Sequence, residues 1–164
     1  MPGFINAHVH AAYNWWKLKT WAKGGVTTVR DLGAFGQSGW PLLSPEQAKA
    51  LVDTTHERGK PVTAHVTSAR DLNRALDAGV DEIAHMVVDE LSEQLIARMI
   101  ESGTRWVPTL ELWQRVSRLY AISHGRMAIK NLALFVEAGG EVALGTDYAG
   151  SKCQFRPGNA NSRN

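Results

Sequence analysis

Pro2-Gly3-Phe4-Ile5-Asn6-Ala7-His8-Val9-His10 reads as an apolar strand that ends in two histidines one residue apart. Side chains on a strand alternate between its faces, so residues two apart point the same way, and His8 and His10 aim both imidazoles at one place. Two such imidazoles at a strand end supply half of a site for Zn²⁺ or a similar divalent ion. The partners that complete it must come from farther along the chain, and candidates recur there at regular intervals.

Working outward, residues 12–23 carry apolar groups at helical spacing and stop at Gly24-Gly25, a C-terminal helix signal. The β-branched run Val26-Thr27-Thr28-Val29 follows and closes on Arg30-Asp31. Residues 32–43, rich in Gly, Ser and Pro, read as a long loop. Ser44-Pro45-Glu46-Gln47 then opens a helix with three agreeing devices: Ser at the N-cap, Pro at N1 and Gln reaching back from N3. That helix ends by Gly59, and residues 61–65 form a strand finishing on His65. Ser68 starts a helix that stops at Gly79, and residues 80–85 form a strand finishing on His85. Leu91, Leu95, Ile96, Met99 and Ile100 mark a helix to Gly103, and residues 104–109 a strand. Residues 110–138 read as a helical stretch broken near His124, and residues 141–147 as a last strand ending in Asp147. A polar tail, 151–164, closes the chain.

One pattern organises these elements. A helix ends at Gly, a strand follows, and an even number of positions later comes a residue with chemical capability: Asp31 after Gly25, His65 after Gly59, His85 after Gly79, Asp147 after Gly139. Strands that alternate with helices imply a parallel sheet, because each crossover helix returns the chain to the same edge. In such a sheet all carboxyl ends share one rim, and ligands bind there. His8, His10, His65, His85 and Asp147 are therefore expected to converge although they span most of the sequence.

Composition sets the bounds. A chain of 164 residues with 44% hydrophobic content can bury one core, and we expect a single domain over residues 1–150 ahead of the tail. The 18 Lys and Arg against 16 Asp and Glu are scattered, without the basic stripe that nucleic acid requires. No apolar run approaches the length of a membrane span, and the first residues lack the charged and apolar regions of a signal peptide, so a cytoplasmic protein is expected. The single Cys153 has no partner for an internal disulfide.

Taken together, the opening stretch, Gly-Val-Thr-Thr-Val-Arg-Asp-Leu-Gly at 25–33, Val-Thr-Ala-His at 62–65, Ile-Ala-His at 83–85, Val-Pro-Thr-Leu at 107–110 and Leu-Gly-Thr-Asp at 144–147 resemble the metal-dependent amidohydrolase superfamily. The nearest flavour is the group of imidazolonepropionase-like hydrolases and Xaa-Pro dipeptidases. The resemblance implies an α/β fold, a TIM-barrel-like (β/α) parallel sheet, here abbreviated to about six units where a full barrel needs ~250 residues. It also implies His8 and His10 as first-strand metal ligands, His65 and His85 as ligands from two later strands, and Asp147 as the last-strand carboxylate. Members of that family commonly place a bridging lysine in the interval that residues 32–43 occupy here, and this interval holds no Lys. We therefore expect an internal deletion with losses at both ends, and one ion rather than two, since two unbridged cations would repel.

The expected chemistry is hydrolysis of a C–N bond in a small amide, cyclic amide or dipeptide. Zn²⁺, or another divalent ion such as Mn²⁺, would acidify a water. Asp147 would act as general base, and His85 would complete the metal shell or hydrogen-bond the oxyanion. Trp106, Thr109 and Tyr148 stand near enough to strand ends to line a substrate pocket. Arg30 and Asp31 read as a structural rim pair, and His56 as a solvated residue at a helix C-terminus. The open edges of an abbreviated sheet allow a homo-oligomer. The competing readings are a catalytically impaired remnant and a metal-binding module.

Overall fold

The computed structural model describes residues 4–9, 15–31, 43–110 and 124–147. Along the chain run β1 (Phe4–Val9), α1 (Trp15–Lys23), β2 (Val26–Asp31), α2 (Pro45–His56), β3 (Thr63–His65), α3 (Ala69–Ala78), β4 (Glu82–Ala84), α4 (Glu93–Glu101), β5 (Arg105–Val107) and α5 (His124–Glu137). The expected loop at 32–43 and the first part of the long helical stretch fall largely outside the described residues.

The helices begin where local chemistry dictates. Ser44 caps α2 by accepting from the Gln47 amide, while the Gln47 side chain accepts from the Ser44 N–H at 2.9 Å, a complete capping box with Pro45 in the first turn. Ser68 and Ser92 cap α3 and α4 in the same way, through the Asp71 and Leu95 amides. Gly79 ends α3 with φ 86°, a left-handed turn that a side chain would disfavour.

Parallel pairing joins β1 to β2 and, separately, β3 to β4 to β5. Residues 141–147 connect the two groups. Val142 forms a parallel bridge with Trp106, the Trp106 amide donates to Glu141 O at 2.9 Å, and the Ala7 amide donates to Leu144 O at 2.7 Å. The lateral order is therefore β2, β1, residues 141–147, β5, β4, β3. The end of the described chain sits beside its first strand, so His8 and Asp147, far apart in sequence, belong to neighbouring segments. The fold is α/β with parallel strands, as the alternation of elements requires.

Helices α2, α3, α4 and α5 cover one side of β3 to β5. Leu72, Ile83, Met99, Trp106 and Phe135 are all fully buried there, and Trp106 meets Phe135 edge-on at 5.4 Å between ring centres. Asn131 of α5 ties that helix to the loop after β4, donating to Val87 O at 2.9 Å and Asp89 O at 2.7 Å and accepting from the Leu91 amide at 3.2 Å. Gly140 lies against the Phe135 ring so closely that a Cβ would run into it. Because Phe135 is wholly buried and cannot swing away, Gly140→Ala should cost about 1–3 kcal/mol. A shift of the urea midpoint at unchanged slope would register the loss, and an unchanged midpoint would refute it.

His56 is not merely solvated. Its Nε2 lies 2.8 Å from Asp81 Oδ2, which also accepts from the Val62 amide at 2.7 Å, so the end of α2 is pinned to the entries of β3 and β4. Partial burial pushes the Asp81 carboxyl up, but the His56 and Val62 hydrogen bonds and the His56 charge outweigh it and hold the group below its ordinary 3.8. A depressed carboxylate stabilises the fold above the unfolded value and ceases to do so as pH falls through the lower folded value. The melting temperature should therefore drop more steeply below about pH 4 in the wild type than in Asp81→Asn.

Candidate functional site

The carboxyl ends of β3, β4 and β5 are brought level by their register. His65 pairs with Ala84 and Ala84 with Val107, so His65, His85 and the residues after Val107 emerge on one rim. Backbone bonds hold this edge: the His85 amide donates to Val107 O at 2.9 Å and the Val66 amide to Ala84 O at 3.2 Å.

Three of the expected residues meet. The His65 and His85 rings stand 4.2 Å apart between centroids with their planes at 61°. His85 Nδ1 lies 3.6 Å from Asp147 Oδ2. His85 is 5% exposed, whereas His65 is open to solvent, so the cluster is reached from the β3 side. Asp147 is carried to His85 by the placement of residues 141–147 next to β5. The joint with β1 is made by Asn6, 1% exposed, which donates to Thr146 Oγ1 at 2.9 Å and accepts from the Thr146 amide at 3.2 Å. Sequence reading did not single out Asn6; its signal was an amide side chain inside an otherwise apolar strand, where a buried polar group demands a partner.

His8 belongs to β1, whose neighbour is the Asp147 segment, but its side chain and all of His10 and Tyr148 lie outside the described residues. The same holds for the side chains of Arg30 and Asp31. Trp106 and Thr109, expected along a substrate pocket, are both 0% exposed. Their polar atoms go to His85: the Trp106 indole N–H donates to its carbonyl at 2.5 Å, and Thr109 Oγ1 lies 3.1 Å from its Nδ1.

The backbone of this rim is strained. His85, Thr109 and Asp147 have φ of 75°, 45° and 52°, and they are the only non-glycine residues with positive φ among those described. Such conformations cost on the order of 1–3 kcal/mol each and persist where the surroundings over-determine them. That all three touch through His85 marks the rim as the place where the fold spends stability on geometry.

As a donor set, two imidazoles and a carboxylate suit a borderline divalent ion such as Zn²⁺ in kind. Among the described residues, no group of three or more His, Cys, Asp or Glu side chains is spaced to hold an ion.

No protein-family model matches this chain. An uncharacterized protein of Mycobacterium tuberculosis is 38% identical over 128 residues, 68% of this chain and 32% of that protein. Ochratoxinase of Aspergillus niger is 28% identical over 147 residues, 80% of this chain and 28% of the enzyme. The chain thus spans about a third of the length of the curated relatives it matches. Among solved structures, a Xaa-Pro dipeptidase with methionine bound in its active site superposes with TM-score 0.58 at 25% identity, over 80% of this chain and 37% of that one. An amidohydrolase crystal structure superposes with TM-score 0.72 at 15% identity, over 92% and 66%, a likeness of fold alone. No helix among the described residues is long and apolar enough to cross a membrane. In sequence this chain is similar to ochratoxinase and a Xaa-Pro dipeptidase, and in fold to an amidohydrolase, members of the amidohydrolase superfamily that it matches over most of its own length and part of theirs.

Proposed function

We propose that the chain forms the centre of a metal-dependent hydrolase that cleaves a C–N bond in a small amide, cyclic amide or dipeptide. The observation that carries this reading is the meeting of His65, His85 and Asp147 at the carboxyl rim of a parallel sheet, beside the strand that bears His8. The order β2, β1, residues 141–147, β5, β4, β3 supports an abbreviated (β/α) barrel over residues 1–150, in which first and last strands are neighbours. The likeness to a Xaa-Pro dipeptidase and to ochratoxinase supports the bond class.

His8, His10, His65, His85 and Asp147 would hold one divalent ion, Zn²⁺ or Mn²⁺. When bound, the ion supplies acidity to a water and polarises the substrate carbonyl. Asp147 takes the proton from the attacking water and returns it to the leaving nitrogen, which an amide needs before it can depart. His85, next to it, completes the ligand set or donates to the tetrahedral oxyanion. The solvent-open side at His65 is where substrate enters. Tyr148, which follows Asp147 in the sequence, would contact the substrate there.

Removing metal with a chelator should abolish hydrolysis across a panel of amides, dipeptides and esters, and adding back Zn²⁺ or Mn²⁺ should restore it. Turnover unaffected by either step would overturn the mechanism. Tight metal uptake without hydrolysis would leave a metal-binding module, and neither uptake nor hydrolysis a remnant. Sedimentation gives the assembly state, with self-association expected if neighbouring copies cover the sheet edges.

A further inference from the structure

We propose that Thr109 is a positioning residue for His85: with Asp147 it keeps the proton of the His85 ring on Nδ1, leaving the Nε2 lone pair as the nitrogen that acts. Its consequence for turnover rests on the hydrolase reading above, whereas the claim about the ring rests on geometry alone.

Nδ1 of His85 faces two oxygens, Thr109 Oγ1 at 3.1 Å and Asp147 Oδ2 at 3.6 Å. The Thr109 hydroxyl can donate to or accept from Nδ1, whereas an ionised carboxylate can only accept, so both neighbours are served together only when Nδ1 carries the hydrogen. A neutral imidazole protonated there presents its lone pair at Nε2, the form in which a histidine serves as ligand or base. Thr109 is the nearer and the more constrained of the two neighbours. It is fully buried, and it holds φ 45°, a conformation in which a β-branched side chain is a marked outlier. Glycine would occupy that backbone without strain, whereas the threonine that stands there sets its hydroxyl 3.1 Å from the His85 ring. Strand β5, just before Thr109, also fixes the His85 peptide, since Trp106 donates its indole N–H to the His85 carbonyl. Residues 106 and 109 therefore grip His85 at two points, one on the backbone and one on the ring.

The test uses the full chain labelled with ¹³C,¹⁵N-histidine and freed of metal by a chelator, so that no ion fixes the ring, with ring nitrogen correlations recorded at mildly alkaline pH and the His85 signals assigned by their loss in His85→Gln. Wild type and Thr109→Ser should both show the Nδ1–H pattern. Thr109→Val and Thr109→Gly should lose it, giving the Nε2–H form or a rapid mixture. Thr109→Gly relieves the backbone strain while removing the hydroxyl, so it remains informative if the valine variant fails to fold. For turnover, Thr109→Val should lose about 10–100-fold, with Thr109→Ser recovering most of it. An Nδ1–H pattern that persists in both the valine and glycine variants would overturn the proposal and assign the ring to Asp147 alone. The expected ring patterns without hydrolysis of any substrate would uphold the positioning role and remove the hydrolase reading.

Discussion

Asp147→Asn is expected to lower turnover of the best amide or dipeptide substrate by about 10²–10⁴-fold, the range over which a positioned proton acceptor contributes. The substitution removes the proton acceptor and one charged donor to the ion while keeping the fold, so zinc content is measured beside turnover. Asn is nearly isosteric with Asp, and it is among the residues that tolerate a left-handed backbone, so φ 52° is kept. Its side-chain oxygen can keep the place of Asp147 Oδ2, 3.6 Å from His85 Nδ1, and Thr109 still contacts the ring. What Asn cannot do is take a proton from water at neutral pH. Steady-state kinetics with the melting temperature measured alongside would check this. Activity within a few-fold of wild type, at unchanged stability, would remove Asp147 from the proton pathway.

Trp106→Ala should be the most damaging single change to stability, at about 3–5 kcal/mol for the lost ring and the cavity. Trp106 is 0% exposed, stacks edge-on against Phe135, and lies on β5 between β4 and residues 141–147. Its indole also satisfies the His85 carbonyl, and a buried acceptor left unpaired adds roughly 1–3 kcal/mol if water cannot reach it. Trp106→Phe refills part of the space but not the hydrogen bond, so its loss should be smaller and its effect on His85 comparable. Urea unfolding of the two variants separates these contributions. A loss below about 1 kcal/mol for the alanine variant would show that β5 is not the hub of this core.

Much of this arrangement could be read from residues alone because local signals agreed with tertiary ones. The Ser-Pro-Glu-Gln start of α2, the Ser68 start and Gly79 end of α3, and the β-branched run of β2 each state their structure within a few residues. The even spacing from glycine to His65 and His85 placed both on one rim, and the structure brings their rings together. What escaped were contacts between distant segments. Nothing local to His56 points to Asp81, 25 positions away. Nothing local to Asn6 points to Thr146. Trp106 and Thr109 stood at a strand end, which suggested a pocket, but whether a strand-end side chain turns toward solvent or into the core depends on its neighbours, and here both turn to His85. The strands are also shorter than their β-like runs: β3, β4 and β5 each hold three residues, with β3 ending on His65 itself and β4 stopping one residue before His85.

We propose that histidines of the opening strand, His65 at the end of β3 and His85 just after β4 share one ion with Asp147. Zinc content after equilibrium dialysis tests it most directly, comparing wild type with His8→Gln, His65→Gln and His85→Gln, each verified as folded by circular dichroism. The account predicts about one Zn²⁺ per wild-type chain and at least a tenfold weaker affinity in each variant. Wild-type protein that retains no zinc, or variants that bind it as tightly as wild type, would contradict it.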